Sequence, residues 1–122
     1  MYGKKIWFFP DGERPPVGNS ELIGHESYVV LNPNDSDAHL TFTIYFEDEV
    51  PLRDICVTVG AQRVGCFRTH DPEQFGGHTI AVGVQYAAKV ESDVPVIIQY
   101  GRLDTRQQNM AFYTTIGYPY GE

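Results

Sequence analysis

The sequence predicts an all-β fold, an antiparallel eight-stranded β-sandwich of the jelly-roll type, formed by a single domain over residues 1–122. First, the chain has 122 residues and 42% hydrophobic content, which is the size of one domain with one core. Second, apolar and polar residues alternate with a period of two in several segments. Third, turn-forming residues, including 12 Gly and 8 Pro, separate these segments, and no long segment has a helical period.

Alternation of apolar and polar residues is the basis of the predicted strands. The clearest case is residues 38–47, where every second residue from Leu40 to Phe46 is apolar. The same period returns in residues 79–91, whereas residues 94–100 are more evenly apolar, which suits a strand that is covered on both faces near its start, although Pro95 implies an edge or entry position. The eight predicted strands are residues 4–9, 26–32, 38–47, 53–59, 62–69, 79–91, 94–103 and 111–118.

Polar turn residues predict how the strands are connected. Residues 32–37 and 48–51 are predicted hairpin loops, and residues 91–93 are a predicted tight turn between the two longest strands. Short connections of this kind favour antiparallel neighbours. Residues 10–24 and 70–78 resist strand assignment and are predicted to be ordered loops, which is where binding groups usually lie on a rigid scaffold.

Charge and hydropathy argue against several classes of partner. The formal charge of −7 and the pI of about 4.9 argue against nucleic acid and against anionic membrane surfaces. The apolar stretch of residues 6–9 ends at Pro10, which is too short for a secretory signal. No apolar run approaches the roughly 20 residues of a membrane helix. We therefore expect a cytoplasmic protein without membrane insertion.

Two cysteines, Cys56 and Cys66, flank a predicted turn at Gly60 and Ala61. They could face one another across a hairpin, but one pair is too few for a disulfide scaffold. The favoured interpretation is two buried or half-buried thiols in a reduced compartment.

Signatures of catalysis and of metal binding are missing from the sequence. The four histidines are scattered, and neither a His-Glu-x-x-His motif nor paired Cys-x-x-Cys motifs are present. No Gly-x-Ser-x-Gly nucleophile elbow occurs. The sequence therefore predicts no metal, no cofactor and no enzyme. An alternative enzymatic hypothesis uses His25 and Glu26 as acid and base.

The most unusual segment is residues 99–108, QYGRLDTRQQ, in which a strand ends in two arginines and an aspartate. On an extended backbone Arg102, Asp104 and Arg106 project to one face and form a row of alternating charge. Such a row either binds a carboxylate, a phosphate or sugar hydroxyls, or ties together a strand end or a subunit interface, and both interpretations stay open. Trp7 is a candidate stacking platform for a sugar or a base, with a core position as the alternative.

Motifs over nearly the whole chain resemble the sensory rhodopsin transducer family. The most specific is RLDTRQ at residues 102–107, which follows VPVIIQ at residues 94–99. The other matching positions are Trp7, PDG at 10–12, His25, Glu26, LN at 31–32, DA at 37–38, TIY at 43–45, Arg63 and TI at 115–116. Residues 68–78 fit the family pattern poorly.

The resemblance implies a small cytosolic β-sandwich that forms a homotetramer. The family's namesake binds the cytoplasmic side of a microbial sensory rhodopsin, whereas relatives without a rhodopsin resemble small-molecule binding domains for sugars or related metabolites. Carried over to this chain, the implied candidate pocket comprises His25, Glu26, Arg63, Arg102, Asp104, Arg106 and Gln107.

Two functional hypotheses follow. The first is a non-catalytic small-molecule binding module for a sugar-like or anionic ligand. The alternative is a signalling adaptor that binds the cytoplasmic tail of a membrane receptor such as a sensory rhodopsin.

Overall fold

Eight β-strands and no helix form the part of the chain that the computed structural model describes, residues 1–107 and 109–121. The predicted all-β class is confirmed, and the number of strands agrees because two predicted strands form one while the predicted strand of residues 111–118 forms two. The strands are β1 Lys4–Gly12, β2 His25–Asn32, β3 Ala38–Phe46, β4 Leu52–Val59, β5 Arg63–Arg68, β6 Tyr86–Asp104, β7 Ala111–Ile116 and β8 Tyr118–Tyr120. Accordingly, no helix in these ranges could span a membrane.

The strands form two layers that share β6. The first layer has the order β4-β3-β6-β1-β8, and the second has the order β5-β2-β6-β7. The first half of β6 pairs with β1 and β3, and its second half pairs with β2 and β7, always antiparallel. This is the predicted sandwich, with β6 passing from one layer to the other.

The long strand β6 covers two strands that the sequence predicts separately, so the predicted tight turn at residues 91–93 is wrong. Asp93 continues the strand, and its carboxylate accepts the backbone N–H of His39 at 2.8 Å. Two residues later, the carbonyl of Pro95 accepts a hydrogen bond from the amide of Asn34 at 2.6 Å. These polar groups resemble a turn signal in the sequence, but in the structure they accept hydrogen bonds from a neighbouring strand and a neighbouring loop.

Residues 79–85 were predicted to belong to a strand, and this prediction is also wrong. Ile80 is buried in the core, but Val82 is 46% exposed and its backbone forms only an isolated bridge with Arg14. Gly83 has a φ of 74°, in the left-handed region, which interrupts an extended backbone. Hydrophobic alternation alone does not distinguish such a loop from a strand.

Aromatic rings at the centre of the core join the two layers. Tyr28 of β2 packs edge to face on Phe9, Phe42 and Tyr100, with ring centroids 5.1 to 5.2 Å apart. Phe75, from the predicted loop of residues 70–78, is fully buried and packs on Phe42 at 5.2 Å. The loop is therefore anchored in the core.

Cys56 and Cys66 are both free and exposed, so the expectation of burial is wrong. Cys56 pairs in register with Thr41 in the first layer, and Cys66 pairs with Val29 in the second. The connection between β4 and β5 passes from one layer to the other, so the two cysteines are not cross-strand partners in a hairpin.

Candidate ligand-binding site

Arg102, near the end of β6, is held from three directions and is only 17% exposed. Its guanidinium carbon lies 4.9 Å from the ring centroid of Tyr113, and Nη2 donates a hydrogen bond to the hydroxyl of the same residue. Nη1 donates to the backbone carbonyl of Glu13 at 3.3 Å, and Nη2 lies 3.9 Å from a carboxylate oxygen of Asp11. These contacts fix the orientation of the guanidinium at the edge of the core.

Asp104 and Arg106 form an ion pair beside Arg102. Nε of Arg106 donates to the carboxylate of Asp104 at 2.9 Å, and the backbone N–H of Arg106 donates to it at 3.0 Å. These hydrogen bonds hold the pKa of Asp104 below its usual value. The structure thus brings together the three residues of the predicted row in what we call the arginine cleft, about 210 Å³ in volume, lined by Glu13, Pro15, Arg102, Asp104, Arg106, Ala111 and Tyr113.

A larger, mainly apolar groove lies next to the arginine cleft, and Tyr113 lines both. This C-terminal groove has a volume of about 540 Å³ and runs between β1 on one side and β7 and β8 on the other. Its lining residues are Phe8, Phe9, Pro10, Asp11, Tyr113, Thr115, Ile116, Gly117, Tyr118 and Pro119. Because Asp11 also faces Arg102, the groove has a charged end.

Gly117 allows the groove to form, because it joins a strand of one layer to a strand of the other. β7 pairs with β6 in the second layer, whereas β8 pairs with β1 in the first. A Cβ on Gly117 would lie 2.4 Å from the ring of Phe9, which packs beneath the connection. Only glycine therefore permits this close approach.

Glu26 is completely buried and faces the core. Its carboxylate accepts one hydrogen bond from the hydroxyl of Tyr100 and another from that of Thr69, the latter at 2.6 Å. The hydroxyl of Tyr100 also accepts the backbone N–H of Glu13 at 3.4 Å. Burial and the nearby Glu26 carboxylate raise the pKa of Tyr100. Glu26 therefore lies in the core beneath the arginine cleft, linked to Glu13 through Tyr100, and does not line the cleft.

His25 precedes Glu26 on β2, so the two side chains project to opposite faces. His25 lines a separate depression on the outer face, the histidine pocket, together with Glu21, Leu22, Ile23, Arg68, His70 and Leu103. The hypothesis that His25 and Glu26 act together as acid and base is therefore wrong.

Three other predicted residues do not line the arginine cleft. Arg63 pairs with Asn32 at the far end of β2, about 20 Å along the strand from Glu26, because six residues separate the two positions at about 3.3 Å each. Gln107 is exposed beyond the cleft. Trp7 is only 4% exposed, and its indole N–H donates to the carbonyl of Val96 at 3.1 Å. The prediction that Trp7 is a stacking platform is wrong, because its ring is packed in the core.

Sequence reasoning missed Tyr113 and Glu13. Tyr113 reaches Arg102 only because β7 pairs with β6 in the register that places these two residues opposite each other. Glu13 contributes its backbone carbonyl, which no sequence pattern marks. A signal for Tyr113 was present in the sequence, since residues 111–116 form an uncharged segment that follows closely after the arginine row.

Comparison with known proteins identifies the family. The family profile described as Anabaena sensory rhodopsin transducer matches residues 2–119. The chain belongs to this family. The sequence-based resemblance is thereby confirmed.

Two solved structures of this kind share both sequence and fold with the chain. The crystal structure of Thermotoga maritima 1070 is 33% identical, covers 98% of this chain and 97% of its own, and has a TM-score of 0.86. The Anabaena sensory rhodopsin transducer is 34% identical, covers 88% of this chain and 95% of its own, and has a TM-score of 0.74. A search of curated proteins found no match.

Proposed function

We propose that this chain is a non-catalytic cytosolic module that binds a small, sugar-like ligand in the C-terminal groove and the adjoining arginine cleft. The observation that carries the proposal is the position of Arg102, which is held in place where the two depressions meet. An apolar groove with a few fixed polar groups at one end is the usual form of a small-molecule site.

The composition of the site favours hydroxyl groups over a multiply charged anion. Asp11 faces Arg102, and Asp104 pairs with Arg106, so acidic and basic groups are balanced along the cleft. Carboxylates accept hydrogen bonds from hydroxyl groups, and guanidinium groups donate to them. The ring of Tyr113 offers an apolar surface to the face of a sugar. A single negative charge, as in a sugar acid, is also compatible with the Arg102 guanidinium.

The test is a calorimetric titration with neutral hexoses, pentoses and uronic acids. We expect at least one to bind, to raise the unfolding temperature, and to lose most of its affinity when Arg102→Gln removes the charge at the end of the groove. Arg53→Gln is the matched control, because Arg53 lies on the exposed side of β4 away from the cleft. Absence of binding across the panel contradicts the proposal, and so does an equal loss of affinity in both variants.

A second candidate function is a signalling adaptor, and a specific feature of β7 supports it. Strand β7 pairs with β6 on one side, and its other edge has no strand partner among residues 1–107 and 109–121. All six of its residues are exposed and uncharged. An extended receptor tail would add to such an edge as a further strand. One relative carries the name sensory rhodopsin transducer.

Titration of the labelled protein with a synthetic cytoplasmic-tail peptide of a sensory rhodopsin separates the two functions. Adaptor function predicts backbone amide shifts along residues 111–116. Thr114→Pro removes one backbone donor from the strand, and we expect it to abolish peptide binding. Amide shifts confined to residues that line the arginine cleft, with Phe112 and Thr114 unchanged, or no shifts, contradict the adaptor function.

The homotetramer that we propose for the assembled state needs a contact surface, and the outer face of the second layer supports one. Leu31, Val64, Phe112 and Ile116 are 43, 65, 67 and 63% exposed on that face. An apolar sheet face of this kind packs on a second copy as two sheets do in a sandwich. Light scattering of Phe112→Ser and Ile116→Ser tests the interface: we expect smaller particles than the parent, whereas Val50→Ser, at an exposed loop position, changes nothing. Unchanged particle size in all three variants contradicts this interface.

A further inference from the structure

The histidine pocket combines side chains from three parts of the chain at the outer edge of the second layer. His25 begins β2, Arg68 ends β5, and His70 lies in the turn that follows β5. The two imidazole rings are 6.2 Å apart between centroids and inclined by 65°. The pocket has a volume of about 320 Å³ and lies apart from the C-terminal groove and the arginine cleft.

Within the described residues, the basic side chains of this pocket include nitrogen atoms that have no hydrogen-bond partner. Nδ1 of His70 is buried and has no hydrogen-bond partner within residues 1–107 and 109–121. In the same part of the chain, the guanidinium of Arg68 makes neither a hydrogen bond nor an ion pair. His25 donates from Nδ1 to the carbonyl of Ile23 at 2.9 Å, which leaves Nε2 for another partner. Buried polar groups without partners are uncommon in folded proteins, so the enclosed Nδ1 of His70 is an unmet hydrogen-bonding group at the wall of the pocket, which water, an ion or a ligand would satisfy.

The electrostatic environment of the pocket favours a negative group, although the chain as a whole carries −7. Burial lowers the pKa of His70, and the nearby positive charges of Arg14, His25 and Arg68 lower it further, against a smaller opposing effect of Asp71. The carboxylate of Asp71 accepts the backbone N–H of Glu73 at 3.0 Å, so it is engaged in the turn.

Among the described residues, Glu21 supplies the one carboxylate that lines the pocket, and it is exposed. Its charge opposes an anion from the rim, where water screens it.

We infer that the histidine pocket binds a phosphomonoester, with Arg68, His70 and His25 around the phosphoryl oxygens. A tetrahedral phosphate presents three terminal oxygens to three donors, and a guanidinium matches two of them at once. Leu22, Ile23 and Leu103 line the same pocket and provide an apolar surface for the organic part of the ester. This site is separate from the proposed sugar groove, so either one can fail without the other.

The first experiment follows the imidazole signals of His25 and His70 by NMR during titration with inorganic phosphate and with phenyl phosphate. We expect saturable shifts of both imidazoles, and tighter binding of phenyl phosphate than of inorganic phosphate because of its ring. His39, which pairs with Asp93 elsewhere, serves as the internal reference and stays unchanged. Shifts that do not saturate, or that are equal for His39, overturn the inference.

Variants identify the donors. Arg68→Gln and His70→Gln should each weaken the affinity for phenyl phosphate about tenfold, the loss expected for a charge-assisted hydrogen bond. Arg53→Gln and His39→Gln are the matched controls and should leave the affinity unchanged, whereas Glu21→Gln should strengthen binding. Circular dichroism verifies that each variant folds. Affinities in Arg68→Gln and His70→Gln that equal those of the controls overturn the assignment.

A pH series with sulfate isolates the protein's own titration, because sulfate keeps its charge between pH 8 and pH 6. A bound anion raises the pKa of His70 from its lowered value, so binding is accompanied by proton uptake. The affinity for sulfate should therefore rise at least about threefold from pH 8 to pH 6. An affinity that is independent of pH overturns the role of His70.

Discussion

Arg102 and Tyr113 contact each other in two ways, since the guanidinium lies 4.9 Å from the centre of the tyrosine ring and also donates a hydrogen bond to its hydroxyl. The two residues are direct cross-strand neighbours in the pairing of β6 with β7. Because Tyr113 lines both the C-terminal groove and the arginine cleft, this pair is the structural link between them.

Tyr113→Phe removes the hydroxyl and keeps the ring. We expect the free energy of unfolding to fall by about 0.5 to 1.5 kcal/mol, the usual net contribution of one hydrogen bond, and sugar affinity to fall several-fold because Arg102 loses one of its restraints. Urea denaturation and calorimetry measure the two effects. Tyr2→Phe, which changes an exposed tyrosine outside the C-terminal groove and the arginine cleft, is the control. Equal effects of the two substitutions would show that the Arg102 contact contributes nothing specific.

Glu26→Gln alters the buried carboxylate behind the cleft without changing its size. Both Tyr100 and Thr69 donate to Glu26, so an amide NH₂ would face one hydroxyl hydrogen and leave it without an acceptor. We expect a loss of about 1 to 3 kcal/mol in the free energy of unfolding. Chemical denaturation measures it, with the exposed Glu73→Gln as a control that should change little. A Glu26→Gln variant as stable as the parent would refute the described hydrogen-bond network.

Gly117→Ala tests the close approach between the connection of β7 with β8 and the ring of Phe9. The added methyl group would overlap that ring, and relief of the overlap should cost about 1 to 3 kcal/mol of stability. Because Gly117 and Phe9 line the C-terminal groove, ligand affinity should fall as well. Thermal unfolding and calorimetry measure both.

Gly101→Ala is the matched control for Gly117→Ala. A Cβ on Gly101 would meet its nearest atom, in Thr114, at 3.5 Å, an ordinary contact. Its stability should be equal to or slightly higher than that of the parent, because alanine reduces the conformational freedom of the unfolded chain. A destabilisation as large as that of Gly117→Ala would contradict the steric argument.

Arg106→Gln tests the ion pair with Asp104 through its pH dependence. The pKa of Asp104 is lowered in the folded state, so this carboxylate contributes stability above its unfolded-state pKa, and the contribution is lost as pH falls through the folded-state pKa. Substitution of Arg106 should return the pKa of Asp104 towards its usual value, as measured by carboxyl NMR. The stability difference between parent and variant should be present at neutral pH and should vanish in acid. A difference that persists after Asp104 is protonated would contradict an electrostatic origin.

Local patterns predicted much of the fold correctly. Every second residue from Leu40 to Phe46 faces inward, because side chains alternate along an extended backbone whatever the rest of the chain does. The same geometry brings Arg102 and Asp104 into one cleft. The predictions failed where distant groups decide the outcome: Asp93 looks like a turn residue until its partner His39 is known.

The all-β class, most of the strands and the shared face of Arg102 and Asp104 follow from the sequence by itself, because each depends on spacing along one extended backbone. Strand β6 ends at Asp104, and Arg106 joins the two through its own hydrogen bonds to Asp104. Only the tertiary structure shows that Trp7 is buried, that Glu26 points into the core, and that Tyr113 and Glu13 hold Arg102. The physical reason is that burial and hydrogen bonding between layers depend on which strands pair and in what register. Side chains from β1, β6 and β7 meet at the cleft only after that pairing has formed.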